Sequence, residues 1–147
     1  RVISHFFPGW VDGTATMDKL LGVPGDHVDG FAAGSVTMTE AAFGPMPANL
    51  DFAEAATLPC AALTAWRALF VETRLKPGDW VLVQGSGGVS VFALQFARMI
   101  GCRVIATSSS DEKLERLGAT HRRVQSAGHQ HHIGTHRKAL RLRPGPV

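Results

Sequence analysis

Trp80-Val81-Leu82-Val83-Gln84-Gly85-Ser86-Gly87-Gly88-Val89-Ser90 passes from an apolar run through a glycine cluster into a helical pattern. Trp80–Gln84 has the near-continuous apolar character of a parallel strand covered on both faces. The glycines end it. Beyond them Val89, Phe92, Ala93, Phe96, Ala97 and Ile100 recur at helical spacing, with Gln95 and Arg98 as the main polar breaks. This predicts a helix over Val89–Ile100, closed by Gly101 at the position after the C-cap that favours glycine. Arg103–Thr107 reads as a second strand, and Ser108-Ser109-Ser110 leads into a short charged helix, Asp111–Leu117. Strand, glycine turn, helix and strand form one right-handed βαβ crossover, which places its two strands parallel. The expected class is α/β, with part of a doubly wound parallel sheet.

Working outward, three regions differ in texture. Residues 1–49 are rich in Gly and Pro, with short apolar stretches at Arg1–Phe7, Gly34–Thr39 and Phe43–Pro47, as in a piece of an all-β unit. Residues 50–121 hold linking helices and the βαβ unit. Asp51 is the expected cap of a helical turn, and Pro59 opens a longer helix through Leu63, Trp66, Leu69 and Phe70. Lys76-Pro77-Gly78-Asp79 is a turn. Residues 122–147 form a basic tail rich in His and Arg, with no clear period of two or 3.6, and are expected to be disordered or poorly packed.

The chain has 147 residues, 45% of them hydrophobic, which is enough for one ordinary domain or pieces of two. Its formal net charge of +3 belongs to the tail: Arg122, Arg123, Arg137, Lys138, Arg141 and Arg143 have no acidic neighbour there, and the remainder is net acidic. The basic balance therefore gives no reason to expect nucleic acid as a partner. No run approaches the roughly 18 apolar residues of a membrane span, so no membrane partner is expected. Pro8-Gly9 breaks Arg1–Phe7 too early for a signal peptide, and the missing initiator Met predicts a start inside a longer reading frame. Cys60 and Cys102 make no disulfide framework and read as two buried thiols, which favours a cytoplasmic location.

The glycine turn carries specific chemistry. Gly85 permits the tight turn, Gly87 lets the backbone approach a pyrophosphate, and the small Ser90 lets the helix pack closely on the strand. The amides of Gly85, Ser86, Gly87, Gly88 and Val89, with the positive end of the helix, then face the phosphates. This is a Rossmann-type dinucleotide cradle. At the end of the second strand an NAD site usually has Asp or Glu for the ribose 2′-hydroxyl. Here Ser108 and Ser109 stand in that place, with Lys113 one turn on. Hydroxyls and an ammonium suit a 2′-phosphate, so NADP is expected, with NAD as the alternative because Asp111 could serve the ribose. Ser109 or Ser110 also reads as a plain cap for the helix at Asp111.

Ala55-Ala56-Thr57-Leu58-Pro59-Cys60-Ala61-Ala62-Leu63-Thr64-Ala65-Trp66, Leu75-Lys76-Pro77-Gly78-Asp79, the glycine turn, Ile105–Lys113 and Leu117-Gly118-Ala119 follow one another in order. In these motifs the chain resembles the medium-chain dehydrogenase/reductase superfamily, in its zinc-type alcohol dehydrogenase-like and quinone oxidoreductase-like branch. The resemblance covers residues 1 to about 121. It implies that residues 1–49 end a GroES-like catalytic domain and that residues 50–121 begin a Rossmann domain. The implied activity is hydride transfer between a nicotinamide and a small alcohol, carbonyl or activated alkene, with that small molecule as the partner. The resemblance also places the Thr64 hydroxyl near the nicotinamide ring, the other reading being a hydroxyl bonded to its own helix. Cys60 falls where zinc-dependent members carry one metal ligand, but a lone Cys reads first as a thiol, and no metal site is assigned.

The chain departs from the family pattern at Gly34-Ser35, where an acidic-aromatic pair is usual, and in a helix before Leu117 that is about a turn short. A third strand is not legible after His121. No catalytic residue stands out. His5 and His27 read as surface or structural histidines, and the tail histidines as adventitious metal binders at most. Half a doubly wound sheet leaves an unpaired strand edge, so self-association into a homo-oligomer stays open. A nucleotide-binding piece without turnover is the alternative function.

Overall fold

The computed structural model describes residues 1–119, 124–125 and 138–142. The chain forms two compact units, Arg1–Cys60 and Ala61–Val147.

In the first unit, β1 (Val2–Ser4) precedes a short α1 (Met17–Leu20) and pairs antiparallel with β2 (Phe43–Pro45), Val2 opposite Pro45. Most of the remainder is loop. Lys19 Nζ donates to Asp12 O at 2.8 Å and Trp10 Nε1 to Gly13 O at 3.1 Å, so two side chains fix one loop through its carbonyls. The apolar stretch Gly34–Thr39, expected as a strand, is irregular. α2 (Phe52–Ala55) begins at the expected cap: Glu54 N donates to Asp51 Oδ1 at 2.7 Å, and Asp51 N to Glu54 Oε2 at 3.0 Å. That reciprocal capping box satisfies two amides which a bare helix start leaves open.

The long helix expected from Pro59 is not a plain α-helix. A single α-turn, α3 (Leu63–Trp66), lies between π-helical segments Leu58–Ala62 and Arg67–Glu72. The segment ends with Arg74 at φ 53°. There follow β3 (Trp80–Gln84), α4 (Gly88–Met99), β4 (Arg103–Ser108) and α5 (Asp111–Ala119). The predicted βαβ unit is present, with β3 and β4 parallel and Val81 opposite Val104. α4 closes as its glycine predicts: Gly101 takes φ 82°, its N–H donates to Arg98 O, and Cys102 N donates to Ala97 O at 2.9 Å. These are the two bonds of a Schellman motif.

Val81, Val83, Val104 and Ala106 alternate onto one sheet face and are buried with Leu94 and Ala97 of α4 and Leu114 and Leu117 of α5. Cys102 is buried in the same core. Its Sγ donates to Lys76 O at 3.1 Å. Burial, and then the Asp79 carboxylate, push this thiol above its ordinary range.

Three expectations need correction. First, β3 is not covered on both faces: Trp80 and Leu82 are 47% and 57% exposed. Apolar composition alone does not show whether a second layer exists, and the described helices α4 and α5 pack on the other face. Second, the sheet is mixed. β6 (Lys138–Leu142) pairs antiparallel with β4 and with β5 (Val124–Gln125), in the order β3-β4-β6-β5. Within 122–147, where a disordered or poorly packed chain is expected, these two strands form because a ladder is held by backbone groups and does not require side-chain periodicity. The rest of that tail, with its histidines, lies outside the described residues. Third, Cys60 is exposed, although Cys102 is buried as expected.

Candidate functional site

The C-terminal end of β3 turns into α4 through Gly85, Ser86 and Gly87. Gly85 has φ 88°, in the left-handed region that favours glycine. Its N–H donates to Thr107 O at 2.8 Å, which ties the start of the turn to β4. Gly87 occupies the N-cap of α4 at φ −78° and ψ 174°, and no side chain caps the helix. The first amide with a partner inside α4 is that of Val91, which donates to Gly87 O at 3.0 Å. The amides of Gly88, Val89 and Ser90 therefore stand at the open, positive end of a helix twelve residues long.

Two glycine environments define the space around this end. A β-carbon on Gly87 would meet nothing within 4 Å, whereas one on Gly88 would lie 3.2 Å from Ala61 Cβ. Gly88 is one contact at which the linking segment packs on α4, beside the rings of Trp66 and Phe70 against Phe96. Gly87 faces open room at the residue that immediately precedes the unpaired amides. A phosphate group fits such a place, since it brings several acceptors and negative charge to donors that have no intrahelical partner.

Thr64 is exposed on α3, three residues past Ala61. Ser108 is 2% exposed on the core face of β4, and its Oγ is without a partner among the described residues. Ser109 and Lys113 are exposed. The cap of α5 is Ser110, whose Oγ accepts from Lys113 N at 3.3 Å. That settles which serine caps the helix, and the hydroxyl of Ser109 is not used for it. Asp111 and Glu112 lie exposed in the first turn of α5.

Sequence reasoning missed two contributors, Ala61 and the hydroxyl of Ser90. Ser90 Oγ donates to Gln84 O at 2.9 Å across the turn. The only signal for it was a serine where a small residue suffices.

Among the described residues no three His, Cys, Asp or Glu side chains gather in a group that could hold a metal ion. A catalytic zinc needs three protein ligands.

No protein-family model matches the chain. The zinc-type alcohol dehydrogenase-like protein of Schizosaccharomyces pombe is 50% identical over 125 residues, which cover 82% of this chain and 36% of that protein. Among solved structures, an alcohol dehydrogenase from Sinorhizobium meliloti superposes with a TM-score of 0.76 at 46% identity, covering 82% of this chain and 36% of its own. In sequence and fold the chain is similar to members of the medium-chain dehydrogenase/reductase superfamily over this part of their length. A further superfamily structure, described as an NAD-dependent alcohol dehydrogenase, gives a TM-score of 0.62 at 44% identity, over 67% of this chain and 29% of its own. The chain thus spans about a third of the length of these superfamily relatives. No described helix is long and apolar enough to cross a membrane.

Proposed function

We propose that this chain is the nucleotide-binding part of an NAD(P)-dependent oxidoreductase acting on a small alcohol, carbonyl or activated alkene, with NADP preferred. One observation carries the reading: an uncapped helix start with unpaired amides, entered through a left-handed glycine and kept open above Gly87. In this reading residues 50–121 begin a Rossmann domain and residues 1–49 end a GroES-like one.

A bound nicotinamide dinucleotide supplies a hydride donor or acceptor. The chain's own residues bind and orient. The amides at Ser86, Gly87, Gly88 and Val89 hold the pyrophosphate, where the positive end of α4 favours negative charge, and Gly85, whose own N–H is paired with Thr107 O, makes the turn that presents them. Ser109 and Lys113 hold the 2′-phosphate, because both are exposed and Ser110 alone is engaged in capping. Ser108, next to Ser109 in the chain, has a buried hydroxyl without a hydrogen-bond partner among the described residues and is the third member of this group in the reading. Thr64 orients the nicotinamide ring from the segment packed on Gly88. Fixing the ring relative to the substrate is how such a site lowers a barrier.

The experiment is a fluorescence titration of the chain with NADPH and NADH, repeated with Ser109→Asp. NADPH is expected to bind more tightly to the wild type, and the aspartate, repelling the 2′-phosphate, to reverse the order. Equal affinity for both nucleotides in both proteins would refute the NADP assignment.

A second reading is nucleotide binding without turnover, which the same open amides at the start of α4 would equally serve. NADPH binding with no oxidation by quinones, enones or aldehydes would support it.

A further inference from the structure

The third small position of the glycine turn is Ser90, and smallness there is usually a matter of packing a helix against a strand. The hydroxyl does more. In the first turn of a helix a serine commonly caps the amides or bonds back to a carbonyl four residues earlier. Ser90 Oγ instead donates to Gln84 O at 2.9 Å, six residues back and on the far side of the turn.

The Gln84–Gly85 peptide is trans, so its C=O and N–H point in opposite directions. The N–H points to β4 and donates to Thr107 O at 2.8 Å. The carbonyl must then point away from β4, toward the side on which β3 has no neighbouring strand among the described residues. Ser90 meets it there. One peptide plane is held from both sides, by a strand carbonyl on one and a helix hydroxyl on the other.

This plane is the last fixed element before the turn. Its orientation sets where Gly85 at φ 88° sends the chain, and hence where the amides of Ser86, Gly87 and Gly88 point. We infer that Ser90 is a positioning residue for anion binding: with the Thr107 carbonyl it clamps the Gln84–Gly85 peptide and so aims the amides of the glycine turn at a pyrophosphate. The inference rests on the nucleotide reading of the same turn.

The test is a titration of wild type, Ser90→Ala, Ser90→Gly and Ser90→Thr with NADPH, ADP and adenosine 2′-monophosphate, with urea unfolding of each protein alongside. Loss of one hydrogen bond from a preorganised site corresponds to about a tenfold weakening. Ser90→Ala and Ser90→Gly are expected to weaken NADPH and ADP, which carry a pyrophosphate, by about that factor. They should leave adenosine 2′-monophosphate unchanged, and Ser90→Thr should restore wild-type affinity. A merely structural role would weaken all three ligands alike, and that result would overturn the inference. So would variants that bind like the wild type, or a threonine that does not rescue. If the wild type binds none of the three, the nucleotide reading itself falls, which is distinct from wild-type binding that Ser90 does not affect.

Discussion

Gly88 and Ala61 stand so close that a β-carbon on Gly88 would lie 3.2 Å from the Ala61 methyl carbon. This contact brings the segment carrying Thr64 against the start of α4, so the turn and the linking segment share one packing interface. Gly88→Ala should therefore cost stability. A methyl ordinarily favours a helix over glycine by up to about 1 kcal/mol. Overpacking costs about 1–3 kcal/mol. The expected net loss is about 1 kcal/mol by urea unfolding, relieved when Ala61→Gly is added. Strict additivity of the two changes would show that they do not touch.

Arg74 takes φ 53° after the π-helical segment Arg67–Glu72. A residue with a β-carbon is strained there by roughly 1–2 kcal/mol, and glycine is not. Part of that gain is offset by glycine's greater freedom in the unfolded chain. Arg74→Gly is expected to stabilise the protein by about 0.5–1 kcal/mol in thermal unfolding. A destabilisation would mean that the Arg74 side chain holds a contact worth more than the strain.

The two cysteines should separate chemically. Cys60 is exposed and Cys102 is buried, so iodoacetamide is expected to label Cys60 first in the native protein, read by peptide mass spectrometry. The fold holds the Cys102 thiol neutral by burial and by the neighbouring Asp79 carboxylate. Its folded pKa is raised, so its contribution is intact below the ordinary thiol range and is lost as pH climbs toward the raised value. Unfolding free energy should fall with alkali over that window, and less steeply in Cys102→Ala. Identical slopes would contradict the assignment.

The part of the fold legible in sequence is the part governed by local chemistry. Strand, glycine turn, helix and second strand were readable because apolar runs, Gly85–Gly88 and Gly101 each act on their own neighbours. The capping box at Asp51 was readable for the same reason. What depends on partners elsewhere was not. The apolar run Trp80–Gln84 does not reveal that Leu82 is left exposed, and the strand Lys138–Leu142 forms through backbone pairing with β4. Helical spacing around Leu63 gave no sign of π-helical segments on either side. At the site, the glycines could be assigned, but a run of three serines does not say which one caps. The structure gives the cap to Ser110, buries Ser108 and exposes Ser109.

Gly87 offers the most direct test of the central claim. Its backbone, at φ −78° and ψ 174°, is open to any residue, and a β-carbon there meets nothing within 4 Å. Gly87→Val should therefore fold while placing a side chain in the open room next to the open amides. The decisive measurement is NADPH affinity of Gly87→Val beside the wild type, with urea unfolding of both. The wild type is expected to bind, the variant to lose at least tenfold (about 1.4 kcal/mol), and its unfolding curve to shift only by the roughly 1 kcal/mol that a poorer N-cap residue costs. Equal NADPH affinity in a folded Gly87→Val variant would contradict it.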